Sequence, residues 1–339
     1  MKTHQVQQKT ERRISAALRL VFVAALLLGQ IALAFFLSTE LRQRAAIIYT
    51  VLELAAFGYA VRIYNRTDGA SYKFGWIFLV LTVPVVGLIL YFLWNGDRQQ
   101  KRLDLKKLPM PEEPEAQQAA HRIQMEKLRR KFPQWERLSV YLSRQGYLLY
   151  GDTETTYLPT GEAFLQDMLE KLEQAEHFIF MEFFIIAQGQ VWDRMEEIFR
   201  RKAAEGVEVK IIFDDFGSMM RFPAGQIEAL RESGVEVQIF NPVHHYVNRL
   251  YFNYRDHRKI VCIDGSTAYT GGANVADEYA NLTVRFGYWK DCGIRLDGPG
   301  AWGLTREFLH MWQRNGGQLM QERDYYRPHD HREAAGFCQ

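Results

Sequence analysis

Cysteine is scarce in this chain of 339 residues: only Cys262, Cys292 and Cys338 occur. They form neither a zinc spacing nor a paired framework. Two of them sit in apolar strand-like runs, where a reduced, buried thiol is the ordinary reading. Net charge is nearly absent too. Forty-two basic residues against 40 acidic ones leave a formal +2, a whole-molecule field too weak to imply nucleic acid. There is no short repeat and no low-complexity tract. Size excludes little, because a chain of this length holds one large domain or two smaller ones with a real core.

Long apolar runs are abundant, and all of them lie in the first hundred residues. Residues 20–37 contain Gln30 as their only strongly polar side chain, and residues 74–94 carry no charge. Either can cross a bilayer core. Residues 45–61 form a shorter run with Glu53 near its middle. A carboxylate there costs about 2.5 to 3.5 kcal/mol on insertion scales, so this run reads as a marginal span or an interfacial helix. The first run lacks a small-x-small cleavage site and is followed by two more, so it reads as an anchor and not a signal peptide. Trp76, Tyr91 and Trp94 fit interfacial anchoring, and Pro84 predicts a kink. Two spans put the amino terminus and the rest of the chain on one side; three put them on opposite sides. Lys2, Lys9, Arg12, Arg13 and Arg19 before the first run argue for a cytoplasmic amino terminus, and the cations after Trp94 pull that end inward as well.

After Trp94 the composition turns polar. Arg98, Lys101, Arg102, Lys106 and Lys107 suit either a membrane surface or a solvated connector. A Pro-Met-Pro-Glu-Glu-Pro break precedes an amphipathic helix over 116–131. From about Tyr150 strands and helices alternate, which predicts a layered α/β domain and a closing helix over 301–315. The expected organisation is a membrane anchor over 1–95, a linker with its amphipathic helix over 96–135, a lobe over 136–320 and an irregular tail over 321–339.

The chemistry concentrates in HRKIVCIDGSTAYTGGAN, residues 257–274. Ile260 to Ile263 read as a buried strand with His257 and Lys259 at its entrance and Asp264 at its exit. Two residues apart on a strand, His257 and Lys259 face the same way. An imidazole that attacks phosphorus beside an ammonium that holds phosphoryl oxygens suits a phosphate ester. Asn274, after a Gly271–Gly272 turn that lets backbone approach closely, adds a donor to the same oxygens. Glu182, a polar residue in the apolar run MEFFII, suits either a hydrogen bond to the imidazole or a solvent-facing edge. Asp214 and Asp215 read as a carboxylate pair for acid/base work or metal, or as caps of the following turn. His244 and His245, among Tyr246, Tyr251, Phe252 and Tyr254, suit a lid or plain loop packing.

The stretch resembles the HKD motif of the phospholipase D superfamily. Together with MEFFII, FDDFGS, YWKDCGIRLDGPGAW and the run over 76–94, it is similar to bacterial cardiolipin synthases of that superfamily, from about residue 45 to residue 315. The resemblance implies a phospholipase D-like lobe, a central mixed sheet flanked by helices, preceded by two to three transmembrane helices in a bacterial cell membrane. It implies that His257 attacks a phospholipid phosphodiester, that Lys259 binds phosphate, that Asp264 supports the site, and that Asn274 and Gly272 contact substrate. It implies phosphatidylglycerol and anionic lipids as partners, no nucleic acid, and no metal or organic cofactor.

One feature departs from that family, whose members carry two such motifs. Of the nine histidines, only His257 has a lysine two residues on, and only residues 265–339 follow Asp264. The chain therefore reads as an incomplete enzyme whose second lobe comes from a second copy or a separate chain. A half-size homodimeric phosphodiesterase and a non-catalytic remnant are the competing expectations.

Overall fold

The computed structural model describes residues 24–25, 28–29, 31–32, 35, 42–66, 69–94, 115–242, 255–318, 325–326, 334 and 336–339. Most of the run 20–37, the basic connector over 95–114 and the segment 243–254 with His244 and His245 lie outside the described residues. The chain divides into two compact units, residues 1–105 with 243–254, and residues 106–242 with 255–339.

In the first unit, α1 (Arg42–Tyr64), α2 (Ala70–Thr82) and α3 (Pro84–Trp94) pack together. Ala56 and Ile63 of α1 meet Trp76 and Val80 of α2 and Val86, Leu90 and Tyr91 of α3 in a small core. Phe57, Phe74 and Phe78 remain exposed. Among the described residues α1 is the one helix long and apolar enough to cross a membrane, over Ile47–Tyr64. The run expected to be the cleaner span, 74–94, is broken instead. Pro84 has no N–H to continue the ladder, so the helix stops at Thr82 and a second begins at Pro84. The two halves fold back on one another so closely that a methyl at Gly87 would lie 2.5 Å from the Leu79 carbonyl oxygen. Both open ends reach the end of α1. Lys73 Nζ donates to the carbonyls of Tyr64 and Arg66 at 3.2 and 3.1 Å, and Arg66 Nη1 donates to Tyr91 Oη at 3.4 Å.

The second unit opens with α4 (Glu115–Lys131), a 3-10 turn over 133–135 and α5 (Glu136–Arg144). It continues as β1 (Glu154–Leu158), α6 (Gly161–Leu172), β2 (Phe178–Phe183), α7 (Gln190–Ala204) and β3 (Glu208–Asp214). The short α8 (Asp215–Ser218), α9 (Ala224–Glu232), β4 (Glu236–Phe240), β5 (Ile260–Ile263), β6 (Thr267–Gly271), β7 (Gly293–Asp297) and α10 (Ala301–Arg314) complete it. The seven strands form one mixed sheet in the order β1-β7-β6-β5-β2-β3-β4. β2, β3 and β4 are parallel, and the rest pair antiparallel.

Side chains alternate across the sheet. Ile179, Met181 and Phe183 of β2 join Met168 of α6 and Trp192 of α7 in the larger core. Phe180 faces the other way and stacks on Phe308 of α10 at 4.8 Å. The expected layered α/β lobe is thus present, with helices on both faces. Strand β1 escapes the sequence reading because it is an edge strand in which Leu158 alone is buried. α4 is joined to the lobe: Trp302 Nε1 donates to Gln117 Oε1 at 3.0 Å, and His121 Nδ1 accepts from Leu149 N at 2.8 Å. The described part of the stretch read as an irregular tail also returns to the lobe. Tyr325 lies buried against Phe178 and Phe180, and Cys338 forms an antiparallel bridge with Tyr150.

Candidate active site

The carboxyl ends of the parallel strands β2 and β3 meet the entrance of the antiparallel strand β5, and this meeting point carries the titratable groups. A topological switch of this kind leaves a crevice above the strand ends. His257 and Lys259 approach β5 on the same face, as their spacing requires. Lys259 Nζ lies 3.2 Å from His257 Nδ1 and 3.3 Å from Nε2, and donates to the His257 carbonyl at 2.7 Å. His257 is exposed while Lys259 is 4% exposed. The Phe184 ring, just past β2, sits 4.9 Å from the imidazole and 5.8 Å from the ammonium.

Burial and the adjacent ammonium hold the His257 imidazole below its ordinary value, against the opposing carboxylates of Asp256 and Asp214. Burial likewise lowers Lys259, opposed by Asp256 and Asp291. A depressed imidazole is neutral at physiological pH and keeps a lone pair for attack.

The backbone ahead of His257 is fixed by Asp214, at the end of β3. Its carboxylate accepts from Phe216 N and Gly217 N at 2.9 and 3.3 Å, which caps α8. The same carboxylate accepts from Asp256 N at 3.0 Å and Arg255 Nη1 at 3.2 Å. The capping reading of Asp214 therefore holds, and the residue also ties β3 to the motif. Burial raises its pKa, with Arg255 and the backbone donors opposing.

Glu182 is fully buried on β2, between β3 and β5, so the edge reading fails. Its neighbour is Arg258 and not the imidazole. Arg258 Nε lies 2.7 Å from Glu182 Oε1, in an ion contact outside hydrogen-bond geometry, and Arg258 Nη1 donates to Glu307 Oε2 of α10 at 3.0 Å. Alternation along the strand explains this: His257 and Lys259 take one face and Arg258 the other. Burial drives the Glu182 carboxyl well above the usual range, and the guanidinium only partly offsets it.

Asp264 is separated from the pair by the length of β5. It occupies the left-handed region (φ 52°) with Gly265 (φ 66°) in the three-residue β5–β6 turn, where Ser266 N donates to the Ile263 carbonyl at 3.1 Å. Positive φ at both central residues is the Asp-Gly preference of a type I′ turn. Its carboxylate accepts from Glu176 N, His177 N and Phe178 N at 2.8, 2.7 and 2.8 Å, fastening the start of β2.

Asn274 is buried and engaged at both ends of its amide. Oδ1 accepts from Ile185 N at 3.0 Å and Nδ2 donates to Tyr279 Oη at 2.9 Å. Gly272 does permit a close approach, but by the Asp291 carboxylate, into which any side chain there would run. Asp291 follows the 282–290 loop, and the sequence reading did not single it out. Its signal was a lone carboxylate at the entrance to a strand.

Fold and pair together define a phospholipase D-type lobe. Residues 168–284 match the family described as cardiolipin synthase, PLD-like domain, and residues 54–95 match the phospholipase D-nuclease N-terminal family. The chain is 37% identical to a protein of Streptococcus mutans over 70% of this chain and 51% of that one. It is 32% identical to cardiolipin synthase 2 of Bacillus anthracis, covering 76% and 50%, and 29% identical to the major cardiolipin synthase ClsA of Bacillus subtilis, covering 74% and 53%. The chain belongs to the cardiolipin synthase branch of the phospholipase D superfamily. It spans about half the length of the curated relatives it matches.

Proposed function

We propose that this chain supplies one catalytic lobe of a membrane-bound phosphatidyltransferase that makes cardiolipin. The observation that carries the reading is the exposed imidazole of His257 with the Lys259 ammonium 3.2 Å away. An imidazole nitrogen of His257 attacks the phosphorus of phosphatidylglycerol, the phosphorus–oxygen bond to the head-group glycerol breaks, and glycerol leaves. The result is a phosphatidyl-histidine whose non-bridging oxygens are held by Lys259. The terminal hydroxyl of a second phosphatidylglycerol then attacks the same phosphorus, gives its proton to the group that had protonated the departing glycerol, and releases His257, giving cardiolipin.

Departure of the first alkoxide needs a proton, because its high basicity makes unassisted loss slow. His257 is occupied as nucleophile, and no other histidine in the chain has a lysine two residues on. We assign that proton to a second lobe on a separate chain, and read this chain alone as inactive. Asp214, Asp264 and Asn274 act as positioning residues in this scheme. α1 and at least one further apolar run hold the protein in the membrane.

The test is conversion of labelled phosphatidylglycerol by the full chain in detergent, alone and mixed with a lobe bearing the second motif. Cardiolipin is expected only from the mixture, and His257→Ala is expected to abolish it. Activity of the chain alone that rises with the square of its concentration would replace the separate partner by a homodimer. Wild-type turnover by His257→Ala would overturn the reading.

A further inference from the structure

The helical hairpin that opens the second unit carries a surface which the site does not use. On α5, Arg137, Leu138, Tyr141 and Arg144 share one outward face, while Ser139 turns inward and is buried. Trp135, in the turn before it, is 55% exposed, Leu138 51% and Tyr141 60%. Beside them an apolar groove of about 430 Å³ opens between α4 and α5, lined by Leu128, Phe132, Trp135, Leu138, Leu142 and Phe337. A solvated helix has no use for such a face.

Charge identifies what would cover it. Residues 127–144 contain Lys127, Arg129, Arg130, Lys131, Arg137 and Arg144 against Glu136 as the sole acid. The chain as a whole is only +2, so the concentration is local. Arg129 is neutralised by Glu126 and Glu136, at 2.6 and 2.7 Å. Arg130, Arg137 and Arg144 are exposed and have no ion pair among the described residues. Trp and Tyr interleaved with unpaired cations suit the boundary between lipid head groups and acyl chains. Residues 95–114 alone separate the end of α3 from the start of α4, so the covalent chain holds the hairpin within about 70 Å of Trp94.

We propose that this hairpin docks on an anionic bilayer surface, with Trp135, Leu138 and Tyr141 entering the head-group layer and Arg130, Arg137 and Arg144 pairing with lipid phosphates. The proposal rests on the apolar α1 and on this surface, not on catalysis, and its test reads no activity.

A polarity-sensitive fluorophore is attached at Leu138→Cys in the full chain, with Cys292→Ser and Cys338→Ser removing the other accessible thiols. A second protein carries it at the exposed Glu170→Cys on α6. Both are reconstituted into vesicles of phosphatidylcholine, with or without phosphatidylglycerol. On phosphatidylglycerol vesicles the label at 138 should shift to the blue and be quenched by acyl-chain spin-labelled lipid, and the label at 170 should not. Each cation is worth a factor of about five at such a surface, so Arg130→Gln/Arg137→Gln/Arg144→Gln should weaken docking roughly a hundredfold. An unchanged thermal midpoint shows that this variant is folded. Equal behaviour at 138 and 170, or quenching that ignores both phosphatidylglycerol and the three arginines, would overturn the proposal. So would burial of the label that grows with protein density, which would mean that a second copy covers the face.

Discussion

Asp264 and His257 belong to one motif and hold different parts of the molecule. Asp264→Ala leaves three backbone N–H groups without an acceptor, two of them near the surface, so the lobe should lose about 2 kcal/mol. His257→Ala removes an exposed ring, and its unfolding midpoint should stay within about 0.5 kcal/mol of wild type. Denaturant unfolding of the two variants checks the contrast, and equal losses would refute it. A pH prediction follows from His257 itself. Its pKa is depressed, so the imidazole stays unprotonated as pH falls through the ordinary histidine value and is lost as nucleophile only below it. The acid limb of kcat/KM for the reconstituted two-lobe enzyme should therefore lie below that value, and a limb above it would show that another group governs attack. Arg258→Ala strands Glu182 and Asp256 without their cation and should cost about 3 kcal/mol, read from the same unfolding curves.

At the scale of elements, Pro84 turns an apparent transmembrane run into a hairpin. Both ends of that hairpin contact the end of α1, through Lys73 and through Tyr91 with Arg66. Helices of 13 and 11 residues are each too short to cross a bilayer core, so the two ends of a pair folded back in this way are expected on one side of it. Thiols introduced at Asn65 and Asn95 should accordingly label from the same side of sealed vesicles. Labelling from opposite sides would make 74–94 a span. A same-side result also removes the charge conflict, since crossings by residues 20–37 and by α1 leave the cations before the first run and those after Trp94 on one side.

On the scale of the whole molecule, the boundary of the lobe is an element earlier than the periodicity suggests. We expect a chain starting at Pro111 to unfold cooperatively. One starting at Glu136 loses Gln117 and His121, leaving the Trp302 indole N–H and the Leu149 amide without acceptors, and should be less stable by about 2 to 4 kcal/mol. Equal midpoints for the two would restore the boundary at 136. The α4–α5 hairpin thus belongs structurally to the lobe and, in our proposal, functionally to the membrane.

What the sequence determined by itself is local and periodic. The two-residue spacing placed His257 and Lys259 on one face, Asp264 stood at the exit of the same strand, and the alternation of strands and helices from about Tyr150 announced a layered lobe. The tertiary structure decided whatever depends on partners distant in the chain. Glu182 reads equally as an edge residue or a ligand of the imidazole until β3 and β5 bury it beside Arg258. Asn274 reads as a free donor until Ile185 and Tyr279 occupy its amide. Asp291 reads as no more than a lone carboxylate ahead of a strand until the turn at Gly272 comes against it. The reason is physical: a strand's period fixes which way a side chain points, and only the packing of other strands and helices fixes what it meets.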